Sequence, residues 1–414
     1  ELSSVCGGMP DSATKQEEYI KKAVEYGHHA YFTTEHGNCG DIFEAFTLCQ
    51  QYGLDCYVGL EGYIVADASQ KDDRNYHIII IPKTDSARKK VNVINSHAHM
   101  TGYYYKPRID TNELLTLDKN DVYITTACEA GILRDKEGFQ DIFVPLYKHF
   151  GENLMLEIQN HKTDRTKAYT ERALKLHEKL GLKVIAANDS HAVDADGLER
   201  RRQLLLGKHI SYGNEDTYIL DYPDYDTMVN RFVDQGVVTR EQAIEAINNT
   251  MIFKNCEPLY LDTEIKMPTI YPNLTPEERV QELKRQVTVR FKDVIKEDNI
   301  SKEDLPMYKE GLRKEMSIIE ETNTVCHTAD YFLLDTKIVD LATHKYGGCI
   351  TRTGRGSCGA FYTNRVLGLT QLDRFKIKLP SFPERFMSAA RLITQRALPD
   401  VDVNCVGQEP FVKA

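Results

Sequence analysis

Imidazole, carboxylate and thiol side chains recur at the ends of apolar runs in the first half of this chain. His36 follows the run 30–34, Glu61 interrupts 56–65, His77 opens 76–82 and Cys128 ends 122–128. Asp189 and His191 close the run 183–187 in the string Asn188-Asp189-Ser190-His191. Nitrogen, oxygen and sulfur donors of these kinds hold borderline divalent ions. The set therefore points to a multinuclear hydrolytic metal site, with zinc or manganese as the expected ion. Each residue alone has a plainer explanation, because a single His or Cys at a strand end is more often structural. Their recurrence at successive strand ends is the informative feature. His97 and His99 fall in a helix-patterned stretch, 88–100, on different faces, and read as surface or packing residues.

The second half carries two other features. The string Thr353-Gly354-Arg355-Gly356-Ser357-Cys358-Gly359 reads as a Gly-rich loop entering a helix. Such a loop offers backbone N–H groups to phosphate oxygens. Arg355 would add a charged donor and Ser357 a hydroxyl, although a flexible turn fits the loop alone equally well. It has no Gly-Lys-Ser/Thr ending, so it is not a Walker A loop, nor is it a dinucleotide fingerprint. The string Pro399-Asp400-Val401-Asp402-Val403 reads as part of a short strand, 398–403. Residues i and i+2 of a strand share a face, so Asp400 and Asp402 would stand together. Adjacent carboxylates repel unless cations sit between them, as in paired Mg²⁺ sites of phosphoryl transfer. A solvated edge strand is the plainer alternative.

These side chains need elements to position them. The runs 30–34, 56–65, 76–82, 122–128, 154–158 and 183–187 read as strands, with helix-patterned stretches such as 16–26 and 166–180 between them. That rhythm predicts βα units and a mainly parallel sheet, flat or closed. Its strand ends would gather on one face. A polar, proline-containing stretch at 258–277 places a domain boundary near residue 262. Beyond it, 277–296 and 307–322 read as long charged helices, followed by a compact apolar segment at 331–342.

The 414 residues suggest two or three domains, and 41% hydrophobic residues suffice for ordinary cores. No apolar run approaches the roughly 18 residues of a membrane helix. Ten scattered cysteines without a Cys-x-x-Cys pair do not make a disulfide framework, so a reducing cytoplasm is expected. A net charge of −10 disfavours a free-standing nucleic-acid coat. It leaves room for a nucleic-acid enzyme with a local basic groove. The opening Glu1-Leu2-Ser3-Ser4 shows no secretory leader and no initiator Met, so the chain reads as a piece of a longer protein.

Taken in order, the motifs resemble the bacterial C-family replicative DNA polymerases, the DNA polymerase III α type. Glu35-His36-Gly37-Asn38 is similar to the family's Asp-His-Gly-Asn, and Gly59-Leu60-Glu61-Gly62-Tyr63-Ile64 to its Gly-x-Glu-x-Tyr strand. Tyr104-Tyr105-Lys106-Pro107-Arg108-Ile109-Asp110 and Asn188-Asp189-Ser190-His191 are close to two further strings. Gly354-Arg355-Gly356-Ser357, Pro383-Glu384-Arg385-Phe386 and Pro399-Asp400-Val401-Asp402 follow in family order. The resemblance runs through essentially the whole chain.

It implies a PHP domain (polymerase and histidinol phosphatase) over 1–262, a distorted β/α barrel with a trinuclear site. It then implies, over 263–414, the first part of an α+β Polβ-like nucleotidyltransferase palm. The ligand positions it implies are Asp11, His36, Glu61, His77, Cys128, Asp189 and His191, for Zn²⁺ or Mn²⁺. Residues 5–10 form a small insertion beside Asp11. Active members of this domain class hydrolyse phosphoesters, often as a 3′–5′ proofreading exonuclease, while others keep the domain for support. The aligned positions here are all metal-competent, which favours the active kind.

In the palm, the resemblance implies Mg²⁺ on Asp400 and Asp402 together with a third Asp. Gly354, Arg355, Gly356 and Ser357 would hold the phosphates of an incoming deoxynucleoside triphosphate during template-directed synthesis on a primer–template. The family's opening His-x-His would precede Glu1. Its third Asp, thumb, fingers and any sliding-clamp or replisome contacts would follow Ala414. Residues 1–414 alone are therefore not expected to extend a primer. Ser357-Cys358-Gly359-Ala360 stands where the family has Ser-Ala-Ala-Gly. The origin reads as bacterial or phage, and the location as cytoplasmic, the host's in the second case, with no membrane partner. Two other functions fit less of the chain. A free-standing PHP phosphoesterase for a small phosphate ester has no need of the region after 340. A metal-stiffened scaffold would bind metal without turnover.

Overall fold

The computed structural model describes residues 12–414 except 73, 212–216, 264–265 and 379–380; Asp11 lies outside the described residues. The chain falls into two compact units, Glu1–Asp262 and Thr263–Ala414.

Among the described residues, the first unit is built on seven strands. They are β1 (Ala30–His36), β2 (Asp55–Val65), β3 (Tyr76–Pro82), β4 (Arg108–Asp110), β5 (Val122–Thr125), β6 (Leu154–Gln159) and β7 (Val184–Ala187). Their order is β1-β2-β3-β5-β6-β7, with β4 paired to β2, in a curled half-barrel sheet. The sheet is mainly parallel, as expected, with β3 alone reversed against both β2 and β5. Only residues 66–75 join β2 to β3. That is short of the dozen or so residues a parallel crossover needs, so the chain turns back on itself.

Both faces of the sheet are covered, which is why its strands read as unbroken apolar runs. Along β3, Ile78 and Ile80 enter one core with Val91, Ile94 and Ala98 of the helix Asp85–Met100. Ile79 and Ile81 enter the other with Tyr57, Tyr123, Met155 and Ile185. On that second face Phe32 stacks on Tyr57 at 5.7 Å between centroids, and Phe253 lies 5.4 Å from Phe32. Its apolar floor gives way to His36, Glu61 and His77 on β1, β2 and β3.

The second unit is helical. Helices Pro276–Glu297, Leu305–Cys326 and Thr328–His344 enclose a core of Leu283, Val287, Phe291, Ile319, Phe332 and Tyr362. The first starts with Pro276 behind a capping box, in which Thr275 Oγ1 accepts from Glu278 N and Glu278 accepts from Thr275 N. At the centre, fully buried Glu315 accepts from the backbone N–H groups of Tyr362 and Thr363 at 2.9 and 2.7 Å. It also meets Arg374 Nε at 3.0 Å.

The strand expected at 398–403 is not formed. The backbone there bonds to a side chain instead of a ladder. Tyr331 Oη donates to Pro399 O at 2.6 Å and accepts from Val401 N at 3.1 Å. Pairing begins only later, at the isolated antiparallel bridge between Ile350 and Cys405. Thr351 N–Asn404 O and Val406 N–Cys349 O bonds of 2.8 and 2.9 Å flank it.

Candidate functional site

His36 and Glu61 are register partners on parallel β1 and β2. His77 pairs with Tyr63, two residues along β2 from Glu61. Strand alternation therefore puts all three on one face. Glu61 reaches both imidazoles, Oε2 to His36 Nδ1 at 3.0 Å and Oε1 to His77 Nδ1 at 2.9 Å. Among the described residues these three form the group able to hold a metal ion, with donor atoms within 4.8 Å of one another. Burial pushes the Glu61 carboxyl up, but charge and hydrogen bonds from His36 and His77 outweigh it and hold the group below the usual carboxylate range.

Cys128 Sγ lies 3.4 Å from His77 Nδ1. Burial first, then the charges of Glu61 and Asp189, raise its thiol well above the ordinary value. Two imidazoles, a carboxylate and an adjacent thiol fit a borderline divalent ion, and its charge would relieve the thiol of the carboxylates' effect.

Asp189 and His191 sit on the turn after β7 and outside that tight group. The Asp189 carboxylate is 3.7 Å from His191 Nδ1. Ser12 Oγ donates to His191 O at 2.7 Å, and Tyr19 Oη donates to Ser190 O at 3.2 Å. The residue next to Asp11 is thus tied to this turn, while Asp11 itself lies outside the described residues.

Several neighbours were not singled out by sequence. His99, read from sequence as a surface or packing residue, bonds through Nε2 to Gly37 O at 2.7 Å and fixes the turn just after His36. His97 lies at the surface, paired with Glu113. Glu157 on β6 is 3% exposed and accepts from Thr125 Oγ1 and Gln159 Nε2. Burial, with added push from Glu61 and Asp189, raises its carboxyl to about 7 against the hydrogen bond from Thr125.

This raised value makes a pH prediction. An unfolded Glu titrates near 4.3, so the fold favours the neutral form over the window from about 4.3 to 7. In metal-free protein, stability from this group is complete below that window, falls as pH rises through it and is flat above. Glu157→Gln should therefore melt like the parent near pH 4.5 and exceed it by about 2–4 kcal/mol at pH 8. A gap in thermal stability that stays constant with pH would contradict this.

In the second unit the Gly-rich loop meets one of the two acidic residues. Arg355 Nε lies 3.9 Å from Asp402 Oδ1. Gly356 has φ +63°, and a Cβ there would fall 1.8 Å from Asp402 Oδ2. Only glycine permits that approach. A Cβ at Gly354 would strike Leu372 in the same way, at 1.8 Å. Asn404 Nδ2 ties the segment to Thr353 O at 2.8 Å. Ser357 starts the short turn, its carbonyl accepting from Ala360 N at 2.9 Å. Asp400 is exposed, and no strand ladder among the described residues sets it beside Asp402. Behind the loop, sequence gave no notice of Asp335, whose carboxyl burial raises to about 6. Burial, Asp402 and Asp335 together push the Cys358 thiol up to about 12.

The family model of the PHP domain matches residues 6–161, and that of the bacterial DNA polymerase III alpha NTPase domain matches residues 281–409. The chain is a relative of the bacterial DNA polymerase III alpha subunits. Curated proteins named DNA polymerase III subunit alpha align along nearly all of it. That of Aquifex aeolicus is 26% identical over 430 residues, covering 95% of this chain and 35% of the relative. That of Chlamydia trachomatis is 26% identical over 464 residues, covering 97% and 36%. That of Helicobacter pylori is 23% identical over 436 residues, covering 95% and 34%. The chain thus spans about a third of the length of the curated relatives it matches. A solved metal-dependent phosphoesterase from Bifidobacterium adolescentis aligns with 55% of this chain and 93% of its own, at 14% identity and a TM-score of 0.34.

The resemblance read from the motifs is borne out by these relatives. His36, Glu61, His77 and Cys128 lie inside the PHP match, and Asp189 and His191 beyond its end. The Gly-rich loop, Asp400 and Asp402 lie inside the polymerase III alpha match. Among the described residues, no helix is long and apolar enough to cross a membrane.

Proposed function

We propose that the first unit is a PHP phosphoesterase that removes nucleotides from the 3′ end of DNA, joined to the palm of a template-directed DNA polymerase. The observation that carries this is the convergence of His36, Glu61 and His77 in a chain whose relatives are DNA polymerase III alpha subunits. Residues 1–262 would be the PHP domain and 263–414 the first part of the palm.

His36, Glu61 and His77 would hold a divalent ion, Zn²⁺ or Mn²⁺, with Cys128, Asp189 and His191 on the same face and Asp11 as a further ligand. A bound ion supplies positive charge to a phosphoryl oxygen and eases deprotonation of water. Glu61 orients both imidazoles through its two oxygens. His99 holds the Gly37 carbonyl and with it the turn that follows His36. Thr125 and Gln159 hold Glu157 in place below the rim. In the palm, Gly354, Arg355, Gly356 and Ser357 would receive triphosphate oxygens, and Asp400 and Asp402 would hold Mg²⁺. Primer–template DNA and deoxynucleoside triphosphates would be the partners, with clamp and replisome contacts made by the longer protein in the cytoplasm.

The test is a 5′-labelled single-stranded oligonucleotide incubated with Mn²⁺ or Zn²⁺. Stepwise shortening from the 3′ end, lost in Asp189→Ala, is expected. Retained metal without degradation would reduce the unit to a structural support.

A further inference from the structure

The loop between the helix Asp85–Met100 and β4 is clamped with unusual thoroughness. Arg108, 3% exposed, donates to four backbone carbonyls. Nε reaches Gly102 O at 2.9 Å, Nη1 reaches Gln70 O and Asp72 O at 2.7 and 2.9 Å, and Nη2 reaches Ala68 O at 2.8 Å. Its guanidinium also lies over the Tyr104 ring at 5.4 Å. Gly102 approaches the Arg108 carbonyl so closely that a Cβ would fall 2.3 Å from it. At the far end Pro107 packs against Gly37, the residue after His36.

What this frame displays is aromatic. Tyr103 is 60% and Tyr105 73% exposed. Tyr105 has φ +57°, a conformation a bulky side chain adopts only under local strain. Its ring is held edge-on by Tyr104 at 4.7 Å. Burial cannot explain a tyrosine held in this conformation and turned to solvent.

The next residue leads to the ion-binding group. Lys106 Nζ lies 3.4 Å from Tyr63 Oη and 4.8 Å from the centre of its ring. That ring lies 5.8 Å from His36 and 5.3 Å from His77. Lys106 thus lies against the ring that flanks the His36–Glu61–His77 group, and the exposed Tyr105 is its neighbour in the chain.

We propose that Tyr103 and Tyr105 form a stacking platform for unpaired bases of a single DNA strand, with Lys106 meeting the backbone phosphate next to the ion group. The proposal rests on the phosphoesterase reading of that group and names the residues that receive its substrate strand. Aromatic faces with an adjacent cation take single strands, because duplex bases are already stacked on one another. The chain's net charge of −10 puts the weight of binding on stacking instead of on a broad basic surface.

Fluorescence anisotropy of a labelled single-stranded oligonucleotide, with the 414-residue chain in EDTA, separates binding from cleavage. Tyr103→Ala and Tyr105→Ala should each weaken binding about five- to hundredfold. Tyr105→Phe should bind like the parent. Lys106→Met should flatten the logarithmic salt dependence by about 0.7. An oligonucleotide with abasic 3′-terminal positions should not distinguish Tyr105→Ala from the parent. Parent-like affinity in both alanine variants, each confirmed folded by its melt, would overturn the platform, as would absence of binding by the parent. Retention of Mn²⁺ or Zn²⁺ is read separately. An effect of the tyrosines in a chain that retains no metal supports the platform and defeats the phosphoesterase reading alone.

Discussion

Glu61→Gln should abolish the divalent-ion binding proposed for the first unit. The change preserves side-chain volume in a pocket where Glu61 is only 9% exposed, so packing is not the issue. It removes the negative charge that His36 and His77 now share at 3.0 and 2.9 Å. Substitutions that merely support a metal ligand cost about 10–100-fold in affinity. Loss of a central donor should cost at least about 100-fold. Metal content after dialysis, measured by elemental analysis, should fall to background, and 3′–5′ degradation should fall with it. A variant that keeps the parent's metal would remove Glu61 from the site.

Glu315→Ala should destabilise the second unit by about 3–5 kcal/mol, the range for breaking one side of a buried ion pair. Arg374 would be left charged with its side chain 9% exposed. The N–H groups of Tyr362 and Thr363 would lose their acceptor in the interior, where an unmet donor costs about 1–3 kcal/mol. Urea unfolding should show the loss. Adding Arg374→Met should recover a large part of it, since the stranded charge goes too. A loss under about 1 kcal/mol would mean that water reaches Arg374 when Glu315 is shortened.

Much of the first unit was legible because its sheet is buried on both faces. β3 matches its apolar run, residue for residue, at Tyr76–Pro82. His36, Glu61 and His77 stood out as polar interruptions of such runs. The reversal of β3 did not, since side-chain alternation is the same in parallel and antiparallel ladders. β4 was missed because three residues, two of them charged, carry no periodicity, and the Arg108 bonds that fix them are to carbonyls. Glu157 was hidden inside an apolar run with no motif around it. In the second unit the helices followed their apolar stripes, whereas 398–403 looked like a strand from its alternation. The Tyr331 hydroxyl takes the bonds a ladder would have used, and nothing in the local pattern announces a side chain 70 residues away.

The missing side chain at Gly356 makes the loop and Asp402 a geared pair. The carboxylate occupies volume that any side chain at 356 would fill. Neither segment can therefore shift toward the other without collision, and withdrawal of either leaves a gap beside the other. An anion that draws the Gly354–Ser357 backbone toward itself necessarily resets the clearance around Asp402. In the proposed palm, a shift of the loop would thereby reach Asp402 by contact alone, as between meshed teeth.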